Sequence, residues 1–233
     1  MTEKSFIEVE NGEKVAVLHE DAGSDRWLFV CHGFGGNKDR QSEYIEPAVE
    51  NGFNPVILDF RGNGESSGEF IDQDLSSRIK DLKAVIKHFD PERYVLFGTS
   101  FGGKVALHAA PELEPEAVIG KAPVTYNRIM DKFRAAVEEK GEFEYIDGKP
   151  IDQRFFDDLD SQPFEAVVGE IDAPVAIFHG GADTTVHPEH SLKTVKNLEG
   201  ETLFHRLEGE EHSFTEKGKE RMLSLMFDWL SPQ

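Results

Sequence analysis

Short, unbroken apolar runs alternate with amphipathic helical stretches along most of this chain, and that alternation constrains the fold more than any other feature. Trp27 to Cys31 and Pro55 to Phe60 have the continuous apolar character of strands buried on both faces. Tyr94 to Phe97, Ala117 to Ile119 and Val175 to Phe178 repeat it, and a further strand is expected from Thr202 to Leu207. Between the runs, Leu75, Ile79, Leu82, Ile86 and Phe89 recur at helical spacing, as do Met222, Met226 and Trp229 in a last helix. Strand and helix in repeated alternation predict an α/β fold with a mostly parallel central sheet and helices on both faces. Asn11-Gly12, set between Phe6 to Val9 and Lys14 to Leu18, predicts a tight hairpin that adds antiparallel pairing at one edge.

One stretch, residues 124–169, breaks the alternation. It holds a helix candidate around Ile129, Met130, Phe133 and Val137, a hairpin candidate around Asp147-Gly148, and a short helical piece near Phe155 and Leu159. We read it as a small lid inserted into a single domain spanning residues 1–233 and packed over the C-terminal edge of the sheet. That length suits one α/β domain with a sizeable core.

Charge limits the partners. Asp and Glu total 45 against 25 Lys and Arg, a formal net charge of -20. A field of that sign repels phosphate backbones and anionic lipid heads, so neither nucleic acid nor a membrane surface is expected as a partner. The acids are spread along the chain, as in an ordinary acidic soluble protein or in one adapted to high salt, where ions screen self-repulsion. A single cysteine, Cys31, excludes an intramolecular disulfide. The opening Met1-Thr2-Glu3-Lys4-Ser5 does not read as a signal peptide, and no apolar stretch is long enough to span a bilayer, so a cytoplasmic location is expected.

The chemistry concentrates in Gly98-Thr99-Ser100-Phe101-Gly102-Gly103. An apolar β run enters it and a small-residue helix (Val105, Ala106, Ala109, Ala110) leaves it. Gly-x-Ser-x-Gly in that context predicts a strained strand-to-helix turn that raises the Ser100 hydroxyl above the sheet as a nucleophile. The strand ending at Cys31 runs into His32-Gly33-Phe34-Gly35-Gly36. The backbone N–H groups of Phe34 and Phe101 are the candidate oxyanion donors. His32 is expected to support that loop, and Cys31 to be a buried strand residue.

A serine nucleophile needs a base, and the base needs a carboxylate to orient it. Asp183 follows the strand through Phe178, at the sheet end where catalytic residues gather, whereas Asp157 and Asp172 follow no strand. Among the late histidines, His205 falls inside a strand candidate, and His187 and His190 flank Pro188 without a third metal ligand. His212 lies in the loop before the last helix, from which an imidazole can reach back to Ser100. The candidate triad is therefore Ser100, Asp183 and His212. No metal site is expected.

These segments, with Asp59-Phe60-Arg61-Gly62-Asn63-Gly64-Glu65-Ser66 and His179-Gly180-Gly181-Ala182-Asp183, stand in the order found in one family. The chain resembles the α/β-hydrolases of the serine aminopeptidase-like and cinnamoyl (feruloyl) esterase-like branch, over roughly Trp27 to Leu230. The resemblance implies an α/β-hydrolase fold and a cofactor-free serine hydrolase acting on a small acyl substrate through an acyl-enzyme. A carboxylic ester is the expected substrate. Peptidase or thioesterase activity and a non-catalytic binding role are the alternatives. The insertion resembles an esterase lid in position and size. Its Tyr126, Phe133, Tyr145 and Phe156 are candidates for an apolar acyl pocket, or for packing between lid and sheet. Gly62-x-Gly64 lacks the third glycine of a dinucleotide loop.

Overall fold

A computed structural model describes residues 1–146 and 148–231. In chain order the elements are β1 (Glu3–Glu8), β2 (Lys14–His19), β3 (Arg26–Cys31), α1 (Ile45–Glu50), β4 (Asn54–Leu58), α2 (Leu75–Phe89), β5 (Arg93–Thr99), α3 (Phe101–Leu113) and β6 (Ala117–Lys121). The interrupting stretch contains α4 (Asp131–Lys140), β7 (Glu142–Ile146), β8 (Lys149–Asp152), α5 (Gln153–Ser161) and α6 (Phe164–Val167). Then come β9 (Val175–Gly180), α7 (Pro188–Asn197), β10 (Thr202–Leu207) and α8 (Glu216–Leu230).

The main sheet runs β1-β2-β4-β3-β5-β6-β9-β10. Every pairing from β4 to β10 is parallel, while β2 is antiparallel to both β1 and β4. The hairpin turn forms as Asn-Gly dictates, with Asn11 at φ 55° and Gly12 at φ 77°, a primed turn whose twist suits the strands. β1 begins earlier than the apolar pattern indicates. Glu3, Lys4 and Ser5 belong to an edge strand whose polar side chains face solvent while their backbone pairs with Val17 to His19.

Strict alternation along the central strands divides the interior into two layers. Phe29, Val56, Leu58, Leu96 and Val118 point to one face, where Leu75, Leu82, Val85 of α2 and Val105, Ala109 of α3 cover them. Leu28, Val30, Ile57, Val95 and Phe97 point to the other, against Ile45 and Ala48 of α1 and Met222, Met226 and Leu230 of α8. Among the described residues, no helix is long and apolar enough to cross a membrane.

The insertion leaves β6 and returns at β9. Its β7–β8 hairpin is antiparallel, pairing Phe143 with Ile151. Asp147, named in the expected turn, lies outside the described residues, whereas Gly148 takes φ 75°. The unit docks by polar as well as apolar contacts. The Asp158 carboxylate accepts hydrogen bonds from the Leu75 and Ser76 N–H groups at 2.9 and 3.1 Å, at the first turn of α2. An anion there satisfies donors that the helix cannot satisfy itself. Beneath the insertion, Phe155 packs on Phe34 and Phe101 with ring centroids 5.1 and 5.9 Å apart.

Two buried ion clusters hold the loops beyond β4. Asp59, fully buried, accepts the Lys38 N–H at 2.5 Å and the Glu65 N–H at 2.9 Å, and lies 3.2 Å from the buried Lys38 ammonium. Arg61, 3% exposed, donates Nε to Asp81 at 2.6 Å and reaches Glu13 and Glu10 with its two Nη atoms at 2.6 and 3.1 Å. Its own N–H also meets Asp81 at 2.9 Å. The loop after β4 is thereby tied to α2 and to the hairpin. Arg61→Met leaves the fully buried Asp81 carboxylate without its cation, so urea unfolding should show a loss of about 3–5 kcal/mol. Adding Asp81→Leu in the same chain should recover part of that loss.

Candidate active site

The C-terminal ends of the parallel strands meet along one edge, and the four segments singled out in the sequence converge there. Ser100 sits between β5 and α3 at φ 52° and ψ -117°, a conformation disfavoured for any residue with a Cβ. Close packing of the backbone enforces it. A Cβ on Gly98 would lie 2.3 Å from the Gly102 carbonyl oxygen, and one on Gly102 would lie 2.2 Å from that of Cys31. Both positions therefore accept no side chain. The Ser100 N–H donates to the Lys121 carbonyl at 2.9 Å, and the Ser100 carbonyl accepts from Gly103 and Val124, each at 3.0 Å.

Ser100 Oγ lies 3.0 Å from His212 Nε2, and His212 Nδ1 lies 2.7 Å from Asp183 Oδ2. The geometry is satisfied when Nδ1 carries the imidazole proton and Nε2 accepts from the serine. Asp183 is buried, 2% exposed, in the turn after β9. Its Oδ1 accepts the Thr185 and Val186 N–H groups at 2.8 and 2.9 Å. Burial opposes its ionisation, but the hydrogen bonds from His179, His212 and Val186 outweigh it and hold the carboxyl well below the usual carboxylate range.

His179, part of the His179-Gly180-Gly181-Ala182-Asp183 motif, has a structural place of its own. It is fully buried at the end of β9, with Nδ1 2.7 Å from Ser191 Oγ. Its Nε2 is 3.1 Å from Asp183 Oδ2 and 2.8 Å from the Val186 carbonyl. The carbonyl can only accept, so Nε2 carries the proton and Nδ1 accepts from the Ser191 hydroxyl. His179 thus donates to the same Asp183 oxygen, Oδ2, that meets His212. Four-residue spacing to an aspartate at a strand end is the signal that could have found it.

His32 supports the first loop, as expected. Its Nε2 accepts the Phe60 N–H at 3.1 Å, leaving Nδ1–H for the Gly33 carbonyl at 2.7 Å. Burial pushes its pKa down to about 3. Among the described residues, neither the Phe34 nor the Phe101 N–H donates to a protein acceptor. Gly33 lies so close that a Cβ there would sit 3.2 Å from Ser100 Cβ. The Phe34 and Phe101 rings are 5.0 Å apart and share a buried neighbour, Arg78. The Arg78 guanidinium lies 5.2–5.6 Å from the rings of Phe34, Phe60, Phe70 and Phe101. Its Nε and Nη2 have no hydrogen-bond partner among the described residues. Four ring faces, with Asp81 and Asp74 acting through space, supply the attraction that paired carboxylates usually provide.

The cleft beside Ser100 encloses about 360 Å³, with Phe34, Gln41, Thr99, Tyr145, Ile146 and Phe214 among its lining residues. Of the four aromatic candidates from the insertion, only Tyr145 lines it. Phe133 stands behind Tyr145, its ring 5.1 Å away, and stacks on Phe143. Tyr126 packs on Phe164, and Phe156 is fully buried against Phe155, with the Arg134 guanidinium 4.7 Å from its ring. These two positions do not belong to the cleft, because the insertion needs their apolar surface to seal its own underside.

Lys121 ends β6 inside this cleft and was not recognised in the sequence, since a charge after Ala117 to Gly120 reads as the end of the strand. It is 8% exposed. Its ammonium donates to the His212 carbonyl at 3.1 Å and lies 4.2 Å from the Phe214 ring centroid. Burial, helped by Lys219, pushes its pKa down to about 8, against the pull of Glu43, Asp183 and Glu210. Among the described residues, no three His, Cys, Asp or Glu side chains converge as metal ligands.

This topology, with an elbow serine after β5, is the α/β-hydrolase fold. A family model described as alpha/beta hydrolase fold matches residues 26–122. An uncharacterized protein of Mycobacterium tuberculosis is 26% identical over 171 residues, covering 72% of this chain and 56% of its own. The quorum-quenching protein AidA of Acinetobacter baumannii is 35% identical over 107 residues, covering 42% of this chain and 35% of its own. The chain thus spans about half or less of the length of these relatives. Est1E from Butyrivibrio proteoclasticus, solved with ferulic acid bound, superposes with a TM-score of 0.86 over 97% of both chains at 20% identity. That likeness concerns the fold.

The strain at Ser100 is measurable without any substrate. Ser100→Gly relieves the positive φ and Ser100→Ala does not, while both lose the hydroxyl. The glycine variant should be the more stable of the two by about 1 kcal/mol in thermal or urea unfolding. Acid should also erode stability. His32 is neutral in the fold but free to charge when unfolded, so the unfolded chain binds the extra proton between pH of about 6.5 and 3. Unfolding free energy should fall with decreasing pH across that window.

Proposed function

We propose that this protein is a serine hydrolase that cleaves a carboxylic ester or related acyl bond of a small substrate through an acyl-enzyme. The observation that carries this reading is the continuous hydrogen-bonded chain Ser100–His212–Asp183 on a strained elbow. Two backbone N–H groups, of Phe34 and Phe101, that meet no acceptor among the described residues stand beside it.

In this mechanism His212 Nε2 takes the proton of Ser100 Oγ as the oxygen attacks the acyl carbon. The carbonyl oxygen becomes an oxyanion held by the Phe34 and Phe101 N–H groups. His212 then passes its proton to the leaving alcohol, and the carbon–oxygen bond breaks. Water enters, gives a proton to His212 and repeats the attack, releasing the acid and restoring Ser100. Asp183 stabilises the transient imidazolium and keeps Nδ1 protonated. Its strongly lowered pKa suits a group that stays ionised throughout. Residues 124–169 act as a lid in this reading, with Tyr145 as their contribution to the cleft wall. Ferulic acid, a carboxylic acid, binds the Butyrivibrio neighbour, in keeping with an acyl substrate here.

The test is hydrolysis of p-nitrophenyl esters from acetate to decanoate, in low and in molar salt. Ser100→Ala should reduce turnover by about 10³-fold or more with the fold intact. Activity should fall on acidification, because the base must be neutral imidazole. A profile that stays flat on acidification argues against His212 as the base. No turnover of any ester by folded protein in either salt would move the reading to a peptidase or a non-catalytic role.

A further inference from the structure

The charge of the cleft is opposite to that of the chain. The protein carries 45 acidic and 25 basic residues, yet the described residues lining the cleft beside Ser100 include Arg40, Lys121 and Lys219 against one carboxylate, Glu43. That carboxylate is already engaged, 2.7 Å from the Lys219 ammonium, and Lys219 also meets Glu216 at 3.0 Å. Arg40 and Lys121 remain. The Arg40 side chain is exposed and makes no ion pair or hydrogen bond with any described residue. Lys121 is more than nine-tenths buried, and no described carboxylate lies within 4.0 Å of its ammonium. One of its three N–H donors is used, by the His212 carbonyl.

Buried ammonium groups normally carry a carboxylate partner, because desolvating the charge is costly. Lys38 follows the rule, with Asp59 at 3.2 Å and Glu65 at 2.6 Å, whereas the fully buried Lys104 ammonium meets only the Thr125 carbonyl, at 2.9 Å. Lys121 also lacks a carboxylate, and of these three lysines it is the one that lines the cleft. Glu43, Asp183 and Glu210 act on it only through space.

We infer that the cleft selects a substrate carrying a carboxylate, received by the Lys121 ammonium from within and by the Arg40 guanidinium from the rim. This rests on the hydrolase reading for the reaction, and it names the substrate class, an ester that is also an acid. The carboxylate belongs either to the acyl part, as in a half-ester of a dicarboxylic acid, or to the alcohol part. In a strongly acidic protein such a site also offsets the general repulsion an anionic substrate meets on approach.

Matched ester pairs separate the cases. For the acyl part, mono-4-nitrophenyl glutarate is compared with 4-nitrophenyl pentanoate. For the alcohol part, 4-(butyryloxy)benzoate is compared with its methyl ester. The wild-type kcat/KM should favour the anionic member of one pair by about tenfold or more, the scale of a charge-assisted hydrogen bond. Lys121→Met should abolish that ratio, Arg40→Gln should reduce it, and Lys121→Arg should keep most of it. Because the readout is a ratio within each variant, a general loss of activity cancels. If Lys121 only steadies the His212 loop, both esters slow together and the ratio survives, which overturns the inference. So does a wild-type ratio at or below one in both pairs.

A binding arm separates this inference from the catalytic reading. Ser100→Ala protein is titrated calorimetrically with monomethyl glutarate and benzoate, and with dimethyl glutarate and methyl benzoate. Binding of an acid but not of its methyl ester, lost on adding Lys121→Met, supports the anion site even if no ester is ever turned over. Equal binding of acids and methyl esters, or no binding of either acid, overturns it.

Discussion

A single buried carboxylate ties together the parts of this molecule that converge at the sheet edge. Asp183 receives hydrogen bonds from the 185–186 backbone, from His179 at the end of β9 and from His212 in the loop before α8. Without it, the loop after β9 and the loop before α8, distant in sequence, would have no common polar anchor, and the His212 imidazole would lose its orientation. The net result is a carboxylate that is both inaccessible and charged. This is possible only because every donor around it is placed before any ligand arrives. Lys121 continues the scheme on the far side, joining Ser100 through its carbonyl and His212 through its ammonium.

Charge is managed differently in the two layers next to the site. Arg61 and Lys38 are satisfied by carboxylates in dense clusters. Arg78 makes no ion pair with a described residue and lies instead among ring faces, two of which belong to Phe34 and Phe101. The backbone N–H groups next to Ser100 are therefore carried by side chains wrapped around a buried cation. The position of these loops depends on aromatic packing as much as on hydrogen bonding. Phe155 and Tyr145 of the insertion join the same cluster, so the wall of the cleft and the loop beneath it form one packed unit.

The fold was legible because its signals are local and periodic. Continuous apolar runs became the buried parallel strands, and Asn11-Gly12 made its hairpin. Ser100, His212 and Asp183 could be paired from sequence because each follows a strand end, and a parallel sheet brings strand ends together. What escaped were residues whose role depends on direction. Nothing in the pattern distinguishes Tyr145, which faces the cleft, from Tyr126 and Phe156, which seal the underside of the insertion. Lys121 and Arg78 are cations in apolar surroundings, and propensity assigns them to surfaces. Their burial depends on a carbonyl or on ring faces supplied from elsewhere in the chain. His179 was visible as a residue and silent as a function, because its partners Ser191 and Val186 come into reach only when the loop after β9 folds back.

The glycines of the elbow have a consequence for how such a chain can change over generations. Gly98 and Gly102 hold backbone against backbone, and a single added carbon at either would overlap a neighbouring main-chain atom. The architecture next to Ser100 is thus frozen at the level of the peptide chain, where gradual adjustment is unavailable. The cleft wall is made of side chains from separate loops, such as Gln41, Tyr145, Ile146 and Phe214, which can be exchanged one at a time. Divergence in a lineage descended from this protein is therefore channelled into what the cleft accepts, while the reacting centre is inherited nearly unaltered.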